Sequence, residues 1–226
     1  MDNDRYARYG AATGIIAVVL IRVGYGIATP NIPKVSASAD DWLSWVTGHQ
    51  NQIQFGTTIT AVGLFFYIWF LGSLRSALSA AEGGSGRLAS IAYGGGLVSA
   101  GFFVIGLTAI QAAAFRTDAP ADVVRGLGDI ANVCGAPAAG GFTALFAATA
   151  IVGYRHKAVP APVAGFSALA AITQPLALGA GVTDSGAFAA DGVLGLWVPV
   201  ITFAIAILTL SGALYRRPAP TGGGAQ

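Results

Sequence analysis

Six apolar stretches, at residues 10–29, 53–74, 88–115, 127–153, 162–183 and 191–214, dominate the chain. Each is close to the roughly 20 residues that a helix needs to cross a hydrocarbon core about 30 Å thick. This constrains the fold more than any other feature, because a helix satisfies its backbone hydrogen bonds within its own segment where no water is at hand. In 226 residues there is room for these spans and short loops, and none for a separate soluble domain. Composition agrees: 54% of residues are hydrophobic and 10% charged, against roughly 25% charged in soluble domains. The expected architecture is an all-α integral membrane protein, a six-transmembrane-helix bundle. One transmembrane domain covers residues 1–217, and a Pro/Gly-rich tail at 218–226 is expected to be disordered.

Lysine and arginine set the orientation. Arg5, Arg8, Arg75, Arg87, Arg155, Lys157, Arg216 and Arg217 fall on one side, eight in all, while Lys34, Arg116 and Arg125 fall on the other. The bias predicts an N-in/C-in topology in the cell membrane. The first apolar run is span-length and shows no clear cleavage pattern, so it is expected to stay as a membrane helix. The net charge of +2 reflects the short cytoplasmic loops and implies no nucleic-acid partner. The 32 glycines suit close helix packing in lipid. A single cysteine, Cys134, excludes an internal disulfide, and with two histidines it cannot build a closed zinc site. The histidines, His49 and His156, fall on opposite faces, which excludes a bis-histidine haem. No metal or cofactor is expected. Gly126–Ala131 matches a dinucleotide-binding pattern on paper but lacks its strand–turn–helix setting.

The longest loop, 30–52, carries Ser38-Ala39-Asp40-Asp41-Trp42-Leu43-Ser44-Trp45-Val46. A serine followed three residues later by an acid predicts a helix start. The stripe of Trp42, Leu43, Trp45 and Val46 predicts a short interfacial helix in this first outer loop, serving as an aromatic anchor or as a lid.

Polar side chains are costly in hydrocarbon and mark pairing or function. With about 1.5 Å of rise per residue, Arg22, Gln54, Gln111, Asp129, Asn132 and Gln174 all fall in the outer half, and Asp184 and Asp191 flank the last outer loop. The inner halves carry Ser, Thr and Tyr apart from their charged ends. This one-sidedness favours an outward polar cavity over a continuous channel. Asp129 and Asn132 share a helix face. Two readings of Asp129 stand: a buried pair with Arg22 that fixes helix register, or a proton donor, acceptor or substrate ligand in the cavity. A close arginine would favour the carboxylate, while an apolar pocket would favour the acid. If Arg22 neutralises Asp129, Asp41 or Asp184 becomes the better acid. Gln174-Pro175 predicts a kink in the fifth span. The many aromatic residues mostly fill core or face lipid, and some could stabilise a cation.

The Trp-bearing loop, then Asn51-Gln52-Ile53-Gln54-Phe55 opening a span that ends Phe70-Leu71-Gly72-Ser73-Leu74-Arg75, resembles small multi-pass actinobacterial proteins. Some of these, in indole-sesquiterpene pathways, are assigned as membrane-bound terpene cyclases. The resemblance implies a prenylated, lipophilic substrate cyclised after protonation of an alkene or epoxide by a carboxylic acid. On that expectation Asp129 is the acid, with Asp41 and Asp184 as alternates. Arg22, Gln54, Gln111, Asn132, Gln174, Trp42 and Trp45 contact substrate. The other readings are an outward-opening transporter or solute-binding protein, and a non-catalytic accessory subunit. Partners beyond substrate and membrane lipid are not indicated.

Overall fold

The computed structural model describes residues 2–116 and 118–216, with side chains described from Arg8 onward. The expected disordered tail at 218–226 lies outside the described residues. Among these residues there are helices and no strands: α1 (Asp2–Ala28), α2 (Ala39–Gly48), α3 (Gln50–Glu82), α4 (Arg87–Phe115), α5 (Ala121–Val133), α6 (Gly135–His156), α7 (Ala161–Thr173) and α8 (Val198–Tyr215). A 3₁₀ segment (Gln174–Gly181) continues α7, and a π-helical segment (Val193–Trp197) leads into α8. Taken together, these make six helical stretches long and apolar enough to cross a membrane. The fourth is α5 plus α6, the fifth is α7 plus the 3₁₀ segment, and the sixth is the π segment plus α8.

The spans close into a ring in the order α1, α3, α4, α6, α7, α8 and back to α1. Consecutive spans are antiparallel neighbours, as the short connections require. We call the side where α1 begins and α8 ends the terminal side, and its opposite the loop side. The tightest seam joins α1 to α3. A Cβ built on Gly63 would stand 2.8 Å from Ile21 and 2.9 Å from its backbone nitrogen. One built on Gly56 would run into the backbone of Gly24 and Ala28. Small residues thus let two backbones touch where lipid offers no hydrophobic drive for association. The hydroxyl of Ser211 donates to Ala11 O at 2.7 Å and closes the ring between α8 and α1. Inside the ring sits one core built on Tyr67, Phe70, Leu71, Leu74, Leu145, Phe146, Val152, Ile207 and Leu210.

The turn from α3 to α4 uses left-handed backbone at Gly83, Gly84 and Gly86, with φ of 70°, 57° and 61°, a region that residues with a Cβ avoid. The Glu82 carboxylate then accepts from the backbone N–H of Leu88 (2.9 Å) and Ala89 (3.0 Å), supplying the N-terminal cap that Gly86 lacks.

Because the α1–α3 seam depends on backbone approach, Gly56→Ala should lower thermal stability in detergent, by about 1–3 kcal/mol, a common cost of overpacking. A Cβ on Gly72 meets nothing within 4 Å, so Gly72→Ala should leave the melting temperature unchanged or slightly raised. Equal losses in both variants would contradict the seam.

Candidate functional site

The loop side carries a second, smaller core. Helix α2 starts where the sequence predicts: Ser38 is its N-cap, accepting from the Asp41 N–H at 3.1 Å while the Asp41 carboxylate accepts from the Ser38 N–H at 3.2 Å and hydroxyl at 2.7 Å. Its apolar stripe is turned onto the protein, so Trp42, Trp45 and Val46 are buried and do not project outward. Trp42 is 1% exposed and lies flat on Gly128 of α5, where a Cβ would meet the ring at 2.9 Å. Trp45 packs edge-on against Trp42 and donates its indole N–H to Pro30 O at 2.8 Å. Trp45, Val46, Ile53, Ile110, Ala113, Ala114 and Val124 complete this core. Gln50 ties the start of α3 to the end of α4 by donating to Ala114 O at 2.7 Å.

Below this cap, three consecutive spans depart from continuous α-helix in the same half, the fifth and sixth most strongly. The fourth is interrupted for one residue at Cys134, between α5 and α6, although Cys134 keeps right-handed helical angles (φ −59°, ψ −23°) and donates to Ile130 O. The fifth tightens into 3₁₀ form from Gln174, where Pro175 removes a backbone donor. The sixth begins as a π helix, a form found mostly as short insertions at functional sites. Side chains join the last two. Gln174, 3% exposed, donates its amide to Pro199 O at 2.9 Å. The Thr173 and Thr202 hydroxyls are 2.7 Å apart. Irregular backbone at membrane depth is tolerated where it is buried in protein or lines a cavity.

An aromatic floor lies directly against this clasp. Phe203, next in sequence to Thr202, is central, with ring centroids 4.9 Å from Phe142, 5.9 Å from Phe146 and 6.0 Å from Tyr67. Tyr67 is 2% exposed and its hydroxyl has no hydrogen-bond partner. The buried hydroxyls of Ser99, Thr149, Ser167 and Ser211 each donate to a backbone carbonyl. They are satisfied as part of the scaffold and offer no free polar lining.

Asp129 follows Gly128 directly on α5 and is partly exposed, beside the Trp42 cap. Asn132 is one turn beyond Gly128, and its amide Nδ2 is buried without a partner, as is the indole N–H of Trp42. The Arg22–Asp129 pair is not formed: α1 neighbours α3 and α8 and makes no contact with α5, and Arg22 is exposed on the outside of the ring. A long aliphatic stem lets such an arginine reach the headgroup level from there. The cation that α5 itself brings near is Arg125, one turn before Asp129, which an i, i+4 count would have found.

The other expected residues do not gather at one point. Gln174 lies inward, at the clasp between the fifth and sixth spans. Gln54 is half-buried near the start of α3. Gln111 is exposed at the far end of α4, in a recess of about 320 Å³ shared with Thr108 and Phe115. Asp41 is exposed and serves as a capping acceptor, and Asp184 is exposed in the last loop. Sequence reasoning missed the interruption at Cys134, the π segment, the Thr173–Thr202 contact and the grouping of Phe203 with Tyr67.

Compared with known proteins, the chain matches no protein-family model, no curated protein and no solved structure.

The Ser38 hydroxyl, and then its backbone N–H, hold the Asp41 carboxyl below the usual aspartate range. A group depressed by folding stabilises above its unfolded value and loses that contribution as pH falls through its folded one. Asp41 should therefore titrate low by carboxyl NMR, and Ser38→Ala should raise it part of the way back, because the backbone N–H at position 38 still donates to it. An unchanged titration would contradict the cap.

Proposed function

We propose that the chain is a membrane enzyme that binds a prenylated, lipophilic substrate in the loop-side half of its ring and cyclises it, with Asp129 as the acid. The observation that carries this reading is the stack of groups from the cap inward. Asp129 and the unpartnered Asn132 amide stand on one helix beside Trp42, above broken spans and a floor of Tyr67, Phe142, Phe146 and Phe203. An oily substrate partitions into the bilayer and enters sideways, which suits a site among irregular spans. Asn132 Nδ2 is a donor without an acceptor, suited to holding an epoxide oxygen, and the ring faces suit a developing cation.

In the step proposed, Asp129 gives its proton to an epoxide oxygen and the C–O bond breaks. An alkene electron pair then closes a C–C bond onto the cation. The last cation loses a proton to water or to the aspartate, restoring the alkene. The orientation that goes with this reading puts both termini in the cytoplasm, on the count of eight basic residues against three. The α2 cap then lies at the outer interface of the cell membrane.

A second reading, an outward-opening solute carrier or binding protein, draws on the same broken spans, since discontinuous helices form transporter sites near the midplane. The packed aromatic floor and the backbone-satisfied hydroxyls beyond it favour the enzyme.

Membranes containing the protein, fed a prenyl-indole epoxide, should yield a cyclised product, and Asp129→Asn should reduce turnover by about 10²–10⁴-fold, the worth of a general acid. Absence of product across such prenyl substrates would overturn the reading. Full activity in Asp129→Asn would move the acid to Asp184.

A further inference from the structure

A recess lies at the opposite end of the molecule from the proposed site. It has a volume of about 930 Å³ and opens on the terminal side between the end of α6, the start of α7 and the end of α8. Its walls are apolar: Val159, Val163, Gly212 and Ala213 line it. Its rim is not. Lys157 and Arg216 stand on it with the phenol-bearing Tyr154, and among the described residues no carboxylate lines it.

Lys157 sits in left-handed backbone, with φ of 53° and ψ of 34°, as the C-cap of α6. Glycine occupies such a position most cheaply. Here the chain instead fixes a cationic side chain at the mouth of an apolar groove. Helix α7 begins on the same rim at Pro160 with no side-chain cap, so the positive end of its dipole is left open. Two cations and an uncapped helix start over an oily groove complement a molecule with an anionic head and a hydrocarbon tail.

We infer that this recess is a binding site for an anionic phospholipid of the terminal-side leaflet. Lys157 and Arg216 hold the phosphate, and one acyl chain lies along Val163 and Gly212. Basic pockets between membrane helices recognise phospholipid headgroups on these terms. The inference does not depend on the chemistry proposed at the loop side.

The test uses the full chain purified in detergent micelles containing equal phosphatidylglycerol and phosphatidylcholine, with retained lipid read by native mass spectrometry. The wild type should retain phosphatidylglycerol preferentially, and Lys157→Gln with Arg216→Gln should each cost roughly fivefold of that preference. Gly212 has nothing within 4 Å of a built Cβ, so Gly212→Leu should fold normally, fill the groove and lower retention with both cations in place. Arg75, which stands over the Tyr93 ring at 5.4 Å and does not line the recess, gives the control. Arg75→Gln should keep the preference. No preference in the wild type, an equal loss in Arg75→Gln, or undiminished retention in the Lys157 and Arg216 variants would overturn the site.

Discussion

A backbone N–H or C=O left unpaired in hydrocarbon costs several kcal/mol, roughly as much as a whole domain's margin of stability. The architecture depends on how each span meets that demand. α1, α3 and α4 meet it by continuous α-helix from one side to the other. The fifth and sixth spans meet it so only in their terminal-side parts, while the fourth is α-helical on both sides of a one-residue interruption at Cys134. On the loop side the fifth narrows to 3₁₀ form at Gln174–Gly181 and the sixth begins in π form at Val193–Trp197. Side chains take up part of the slack there, with the buried Gln174 amide on Pro199 O and the Thr173–Thr202 contact between spans.

On the proposed reading, this division separates rigidity from chemistry. The α1–α3 seam, closed by glycine, and the α8–α1 seam, closed by Ser211 on Ala11, are plain packing devices. The region opposite them holds the irregular backbone, the unpartnered Asn132 amide and the Trp42 cap. Between the two halves, Phe203 and its aromatic neighbours fill the ring. A polar substrate path across the membrane would have to pass them, whereas an oily substrate reaching in from the loop side would rest on them.

Much of this was legible from residue order because the governing periods are strong. Six span-length apolar runs dictate six spans, Ser38 and Asp41 dictate a capped helix, and Gln174-Pro175 dictates a local loss of helix. What was not legible depends on which surfaces meet. Trp42 and Trp45 read first as outward aromatic anchors and second as a lid, whereas the structure buries them against the protein, Trp42 on the bare backbone of Gly128. Arg22 and Asp129 share a depth, yet depth says nothing about position around the ring, where α1 and α5 are apart. The π segment over Val-Leu-Gly-Leu-Trp carries no local signal beyond Pro199 two residues later. Phe142, Phe146, Tyr67 and Phe203 come from three spans and are joined only by closure of the ring.

The placement of a lipophilic site in the irregular loop-side half is the central claim, and photolabelling addresses it most directly. A prenyl chain bearing a diazirine, irradiated with the protein in lipid nanodiscs, labels what it touches. Adducts competed away by unlabelled prenyl substrate should concentrate at residues 129–137, 174–181 and 193–203. Competed adducts spread along the exposed face of α3 at Phe65 and Trp69, or gathered at the terminal side, would contradict the account.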